Sequence, residues 1–147
     1  TRPFTLMRCL DNWLLMNQVN PVRWQQRLQN FKKATDFLST CISDAHSNEK
    51  ADVVLIKAYE MAFELAWKTL QDLMQYHGIQ CIGGRDAIKA SFNRGVLSNG
   101  HLWIEMLDQR NTLVHAYDQK LASSAVDQIC SKYYPAIVEL IKTLDQI

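Results

Sequence analysis

The chain has few of the residues that interrupt helices and none of the cysteine patterns that bind metals. Its 147 residues include only 3 prolines and 5 glycines, which leaves long stretches free for helices. Four cysteines are scattered singly, at Cys9, Cys41, Cys81 and Cys130, and form neither a Cys-x-x-Cys pair nor a cysteine–histidine metal pattern. The sequence therefore predicts no metal and no other cofactor, and scattered thiols fit a reducing cytoplasm.

The chain also lacks a strong net charge and a long apolar run. A net charge of +1 at pH 7 gives no global basic field, so RNA binding would depend on a local group of cations. No stretch approaches the ~18 apolar residues of a membrane span, and residues 1–15 lack the apolar core and cleavage site of a signal peptide. We expect a cytoplasmic protein with no membrane segment. Residues 1–20 are expected to be an N-terminal extension that is foreign to the protein, flexible, or docked elsewhere.

Helical periodicity dominates residues 21–147 and predicts one all-α domain, an antiparallel bundle of four to five helices. The second predicted helix is the longest and is apolar over most of its circumference, which places it at the centre of the bundle. Pro135 is expected to kink the last helix. The predicted helices are Pro21 to about Ala45, Glu49 to His77, Arg85 to Arg94, roughly Gly100 to Ala116, and Gln119 to about Asp145.

Turn residues mark the ends of these helices. Ser47 or Asn48 can cap the second helix, and Gly78 is expected to end it. The turn at residues 98–100 can cap the fourth helix, and Asp118 can cap the fifth.

Side chains suited to proton transfer and phosphate binding cluster at the end of the fourth predicted helix. Arg110 falls on the apolar stripe of this helix, where an unpaired charge is costly. RNA cleavage without a metal needs a group that exchanges protons near neutral pH and a cation for the phosphate charge, and His115 and Arg110 are of these types. Asn111 can bind a phosphate or orient His115, and Tyr117 offers a hydroxyl acceptor or a stacking surface. A purely structural role stays open, because cations are favourable at a helix C-terminus.

A polar stripe on the second predicted helix offers a partner for Arg110. It contains Glu60, Glu64 and Lys68, and Glu64 precedes Lys68 by four residues, the favourable order for an ion pair. The stripe is either a solvated surface or the place from which one of its two carboxylates holds Arg110 across a cleft. Asp108 either orients His115 or is a surface acid.

Two further features invite a functional interpretation, and the sequence favours a structural one for both. Trp67 and Trp103 are expected to belong to the core, not to a ligand-stacking surface. Residues 83–85, Gly-Gly-Arg, lack the preceding strand and the lysine of a phosphate-binding loop.

Two motifs resemble those of a known family. The run Arg110-x4-His115-x-Tyr117 resembles the signature of HEPN domains, small α-helical domains found in many prokaryotic ribonuclease toxins. The segment from Tyr59 to Leu70 is similar to a helix of the nucleotidyltransferase substrate-binding protein family, which is now grouped with HepT toxins. The segment from Arg85 to Asp118 is also similar, and the resemblance covers about Trp24 to Leu144.

This resemblance implies a homodimer in which the two signature helices meet at a cleft. It implies that Arg110 and His115 catalyse metal-independent RNA cleavage, with assistance from Asn111. It further implies a cognate partner, a minimal nucleotidyltransferase that acts as antitoxin by transferring AMP to Tyr117. Two alternatives remain: a non-catalytic subunit that presents a nucleotide or other substrate to a nucleotidyltransferase, and a helical scaffold whose motif residues only stabilise a dimer.

Overall fold

The computed structural model describes residues 23–113 and 119–147, and every secondary-structure element in these ranges is helical. Within these two ranges there is no strand, so the all-α prediction is confirmed. None of the described helices is long and apolar enough to cross a membrane. The elements are α1 (Arg23–Ile42), α2 (Glu49–Tyr76), α3 (Gly83–Asn93), α4 (Gly100–Leu113), α5 (Gln119–Gln128), a π-helical turn (Ile129–Tyr133) and α6 (Tyr134–Asp145).

Some predicted features lie outside the described residues. These are the N-terminal extension, and the motif residues His115 and Tyr117 together with the expected cap Asp118.

The long helix α2 forms the centre of the bundle, as its sequence predicts. Its residues Tyr59, Phe63 and Leu70 have no solvent exposure, because α2 packs against α1, α3, α4 and α5. The rings of Phe63 and Trp103 stack with centroids 5.9 Å apart, which joins α2 to α4. The central helix therefore fixes the position of α4, whose last turn contains Arg110.

The expected helix ends are confirmed at three places. The Asn48 side chain accepts a hydrogen bond of 2.8 Å from a backbone N–H in the first turn of α2. The Asn99 side chain does the same for α4, accepting from Leu102 N–H at 3.1 Å. Gly78 follows α2 with a φ of 83°, the left-handed conformation that glycine adopts without strain.

Two predicted boundaries differ from the structure by more than one residue. The first helix ends at Ile42 instead of about Ala45, because residues 43–46 form turns. Gly83 and Gly84 form the start of α3 instead of a loop. Here the Asp86 carboxylate accepts a hydrogen bond of 3.2 Å from the backbone N–H of Ile82, which supports the helix start two residues earlier than predicted.

The last predicted helix runs from Gln119 to Asp145 as expected, and a π-helical turn lies within it. The π-helical turn Ile129–Tyr133 immediately precedes α6, and Pro135 lies in the first turn of α6. The helical ladder continues through this turn, because the Tyr134 N–H donates to the carbonyl of Ile129, five residues earlier. The wider π-helical turn thus precedes the proline, which has no N–H to donate. The change of helical register thus occurs just before the proline.

Candidate active site around Arg110

Arg110 projects from the last turn of α4 toward Glu64 on α2. The guanidinium Nη2 lies 3.0 Å from the Glu64 Oε2 atom, and the two side chains are 32% and 30% exposed. An acidic partner on the central helix explains how an arginine is accommodated on an apolar stripe. The structure thus brings together two of the predicted site residues and shows the pairing that the stripe of α2 leaves open.

Three donors converge on the Glu64 carboxylate. Besides Arg110, the Trp67 indole Nε1 donates to Oε2 at 3.1 Å, and the Lys68 ammonium lies 3.2 Å from Oε1. Both oxygens are therefore engaged, which fixes the orientation of the carboxylate and, through it, of the guanidinium. Lys68, predicted as a supporting residue, contributes by binding Glu64 from the following turn of α2.

Glu60, the other carboxylate that the sequence offers as a holder of Arg110, has a different ionic partner. Its Oε2 atom lies 3.1 Å from the ammonium of Lys57 on the same helix. Its other oxygen, Oε1, is buried without a hydrogen-bond partner among the described residues. Glu60 is therefore a neighbour of the site, and Glu64 is the carboxylate that holds Arg110.

The guanidinium of Arg110 keeps donors that Glu64 does not use. Its Nη1 atom donates to the Asn111 side-chain oxygen at 3.3 Å, so two adjacent motif residues are in contact. Its Nε atom is buried and has no partner among the residues that the structure describes. A buried donor without a partner costs about 1–3 kcal/mol. The guanidinium is thus held in place, but not all of its N–H donors have a partner among the described residues.

Tyr59 holds the backbone of the helix that contains Arg110. Its hydroxyl donates to the carbonyl oxygen of Met106, one turn before Arg110, at 3.0 Å, and both residues are fully buried. Burial raises the pKa of the Tyr59 phenol well above its ordinary value, and the neighbouring Tyr133 and Glu105 raise it further. Tyr59 is therefore a neutral donor. The sequence pattern places it among core residues and gives no sign of this bond.

Asp108 is paired away from Arg110. Its carboxylate lies 2.8 Å from the Arg85 guanidinium of α3, and the two side chains are 60% and 49% exposed. Of the two roles that the sequence leaves open for Asp108, orienting His115 or serving as a surface acid, the described contact is that of an exposed ion pair. His115 and Tyr117 lie outside the described residues, so their places in the site remain expectations from the sequence.

Two observations in the described part of the chain concern metal-binding groups and thiols. No group of three histidine, cysteine or acidic side chains there could hold a metal ion. Burial raises the pKa of the thiols of Cys41, Cys81 and Cys130, so these cysteines are not poised as nucleophiles.

The described elements place the protein in the class of all-α helical bundles. The chain belongs to the family described as nucleotidyltransferase substrate binding protein like, whose model matches residues 26–146. This confirms the family that the motifs resemble.

Two individual proteins are similar to this chain. The probable ribonuclease HepT of Haemophilus influenzae is 28% identical over 79 residues, which cover 50% of this chain and 54% of that protein. The match thus spans about half of the relative's length. A crystal structure of a protein from Thermus thermophilus superposes with a TM-score of 0.67 at 23% identity, over 79% of this chain and 96% of that chain. This second likeness supports the fold.

Proposed function

We propose that this chain is a metal-independent ribonuclease, the toxin of a toxin–antitoxin pair whose other member is a minimal nucleotidyltransferase. The observation that supports this most is the arrangement of Arg110. A glutamate of the central helix holds its guanidinium at 3.0 Å, while the side chain stays 32% exposed and its Nη groups keep N–H donors that Glu64 and Asn111 do not use. Such a fixed, unsaturated cation is suited to the charge that develops on a phosphate during cleavage.

In the proposed reaction the ribose 2′-hydroxyl attacks the adjacent phosphorus while the bond to the 5′-oxygen of the next nucleotide breaks. The products are a 2′,3′-cyclic phosphate and a free 5′-hydroxyl. Arg110 stabilises the negative charge on the non-bridging oxygens, and His115 acts as general base or general acid. Asn111, whose side-chain oxygen accepts from Arg110 at 3.3 Å, supports the guanidinium or binds the phosphate through its amide N–H groups.

We further propose that the toxin acts as a homodimer. Two copies of Arg110 and His115 would then surround one groove, since a two-fold axis presents the same surface from both subunits. This arrangement would concentrate cations locally in a chain whose net charge is only +1. Sedimentation equilibrium of the purified chain tests it, and a monomer at the concentrations that support cleavage would refute it.

The nucleotidyltransferase partner would neutralise the toxin by transferring AMP from ATP to the hydroxyl oxygen of Tyr117, with release of pyrophosphate and the phenol proton. The added phosphate and nucleoside bring bulk and negative charge to the motif of Arg110, where they compete with RNA for the guanidinium. Intact-mass measurement before and after incubation with the partner and ATP tests this step, with Tyr117→Phe as the variant that should gain no mass.

Cleavage itself is tested with purified chain and cellular RNA in the presence of EDTA. Wild type should give fragments ending in a cyclic phosphate, and Arg110→Ala and His115→Ala should not. Arg94→Ala and His77→Ala, which remove an exposed arginine and an exposed histidine at other helix ends, serve as matched controls and should cleave normally. RNA that stays intact with the wild-type dimer would refute the ribonuclease.

A second candidate function is supported by the family description: a subunit that binds a substrate for a nucleotidyltransferase without cutting RNA. It predicts a complex with the transferase and nucleotide binding, but no cyclic-phosphate ends. Transfer of AMP onto Tyr117 would instead show that the chain is itself the substrate of the transferase.

A further inference from the structure

Trp67 is fixed beside Arg110 and is only partly buried. The sequence predicts a core residue here, yet Trp67 is half-buried, whereas Trp24 and Trp103 are 5% and 3% exposed. Its indole N–H lies 3.1 Å from the Glu64 Oε2 atom, the same oxygen that Arg110 approaches at 3.0 Å. The indole and the guanidinium are therefore held side by side on one carboxylate atom.

The backbone of α3 covers part of the indole surface. A Cβ atom added to Gly84 would lie 3.3 Å from Cδ2 and 3.4 Å from Cγ of Trp67, closer than ordinary van der Waals contact. The glycine thus lets α3 approach the fused part of the ring directly. The ring is supported by α3 in this way and still keeps part of its surface open to solvent.

Two cations lie beside this indole, and a third follows the glycine that packs on it. Lys68 of α2 lies 5.8 Å from the ring centroid, Arg110 belongs to α4, and Arg85 follows Gly84 in α3. The partners of these cations are the carboxylates of Glu64 and Asp108, and a phosphodiester would compete for the same donors. An aromatic ring among cationic side chains is the arrangement with which many proteins bind single-stranded nucleic acid, because every base has a face that can stack.

We propose that Trp67 is a stacking platform for a nucleobase, next to the phosphate that Arg110 binds. The proposal rests on the ribonuclease function and adds to it a subsite that recognises a base. The stacked base can come from two sources, the nucleotide next to the cleaved bond or the adenine of AMP attached to Tyr117. The chemistry is the same in both cases, and the experiment separates them.

The first measurement is the binding of a short single-stranded RNA analogue whose sugars lack the 2′-hydroxyl, so that it cannot be cleaved. Its affinity for wild type and for Trp67→Leu is compared with that of an abasic oligonucleotide of the same length, by fluorescence anisotropy. Loss of one stacking contact should weaken binding of the base-containing oligonucleotide by about 5- to 150-fold. Binding of the abasic oligonucleotide should change little, because it has no base to stack.

Two further variants separate stacking from support of Glu64. Trp67→Phe keeps an aromatic face but loses the N–H that binds Glu64, so it should retain most of the base-dependent affinity. Gly84→Ala leaves every polar group in place but presses a methyl group against the indole, so it should weaken base-dependent binding alone. Circular dichroism and thermal unfolding verify that each variant is folded, and Trp24→Phe in the core of α1 is the control that should bind as wild type does.

A second arm identifies the source of the base. AMP is titrated as a competitor of the labelled oligonucleotide, for wild type and for Trp67→Leu. Competition by AMP that disappears in Trp67→Leu, without base-dependent RNA binding, assigns the platform to the adenine of AMP. Base-dependent RNA binding that disappears in the same variant assigns it to the substrate.

Equal affinities of folded wild type and Trp67→Leu for the RNA and for AMP would overturn the proposal. An equal loss for the base-containing and abasic oligonucleotides would also overturn it, because Trp67 would then act through Glu64 and Arg110 only. Failure of the ribonuclease function is a separate result. It appears as intact RNA with the wild-type dimer, whereas base-dependent binding is measured on an oligonucleotide that is never cut.

Discussion

Because Glu64 holds the guanidinium of Arg110, we expect the substitution Glu64→Gln to change both stability and cleavage. Glutamine has nearly the same shape, so the packing of α2 is preserved. It removes the negative charge to which the guanidinium of Arg110 and the ammonium of Lys68 are bound, at 3.0 Å and 3.2 Å. One amide oxygen remains as an acceptor, and the NH2 group that replaces the other oxygen can only donate.

The expected loss of stability depends on how far the two side chains are exposed to solvent. Hydrogen bonds to charged groups contribute about 1.5–3 kcal/mol, and fully exposed ion pairs contribute about 0–1 kcal/mol. The two side chains are 30% and 32% exposed, so solvent screens part of the interaction. We expect a loss of about 1–2 kcal/mol in the free energy of unfolding, which lowers Tm by roughly 3–8 °C in a domain of this size.

Cleavage should fall by more than the loss of stability explains. Arg110 without its holder samples other rotamers, and a tenfold loss of rate corresponds to only about 1.4 kcal/mol of transition-state stabilisation. We therefore expect roughly tenfold or greater loss of cyclic-phosphate formation, measured well below Tm. Glu139→Gln, which removes an exposed carboxylate that accepts from Ser98, is the matched control and should change neither quantity.

Two outcomes would contradict the role of Glu64 in positioning Arg110. If Glu64→Gln unfolds at the wild-type temperature and cleaves RNA at the wild-type rate, the contact between Glu64 and Arg110 has no functional role. If stability falls and cleavage does not, Glu64 stabilises the bundle and does not position the arginine.

Other contacts give further predictions about stability. Burial, and then the nearby charge of Glu105, raise the pKa of Tyr133 to about 12. The free energy of unfolding should therefore fall as the pH rises from about 10, where the phenol of the unfolded chain ionises, toward 12. In urea titrations at alkaline pH, Tyr133→Phe should reduce this fall, and an unchanged pH profile would contradict the prediction. Asn48→Ala removes the cap of α2 and should cost about 1 kcal/mol in urea unfolding, whereas an unchanged midpoint would argue against the cap. Asp127→Asn removes the partner that lies 2.7 Å from His46; because both side chains are largely exposed, the loss should stay below about 1 kcal/mol.

Much of the bundle follows from the sequence because it depends on local patterns. The apolar circumference of α2 predicts its central position, and that position is confirmed by the full burial of Tyr59 and Phe63. Asn48 and Gly78 mark the two ends of the same helix for reasons that involve only the backbone next to them. Patterns of this kind need no knowledge of which helices are neighbours.

The site depends on contacts between helices, which the sequence does not specify. Glu60 and Glu64 are one turn apart on the same stripe, and only their distance from α4 decides which of them meets Arg110. The bond from Tyr59 to the Met106 carbonyl joins residues 47 positions apart, and no pattern along the chain announces it. Gly84, which precedes the predicted start of the third helix at Arg85, belongs to α3 and lies against Trp67, because the approach of α3 to α2 is set by the whole bundle.

In the role that we propose for Arg110, an arginine is better suited than a lysine. A lysine at this position would have a single ammonium group, and Glu64 would satisfy most of its interactions. The planar guanidinium has five N–H donors, so it can give one to Glu64 and another to Asn111 and still keep donors for a phosphate.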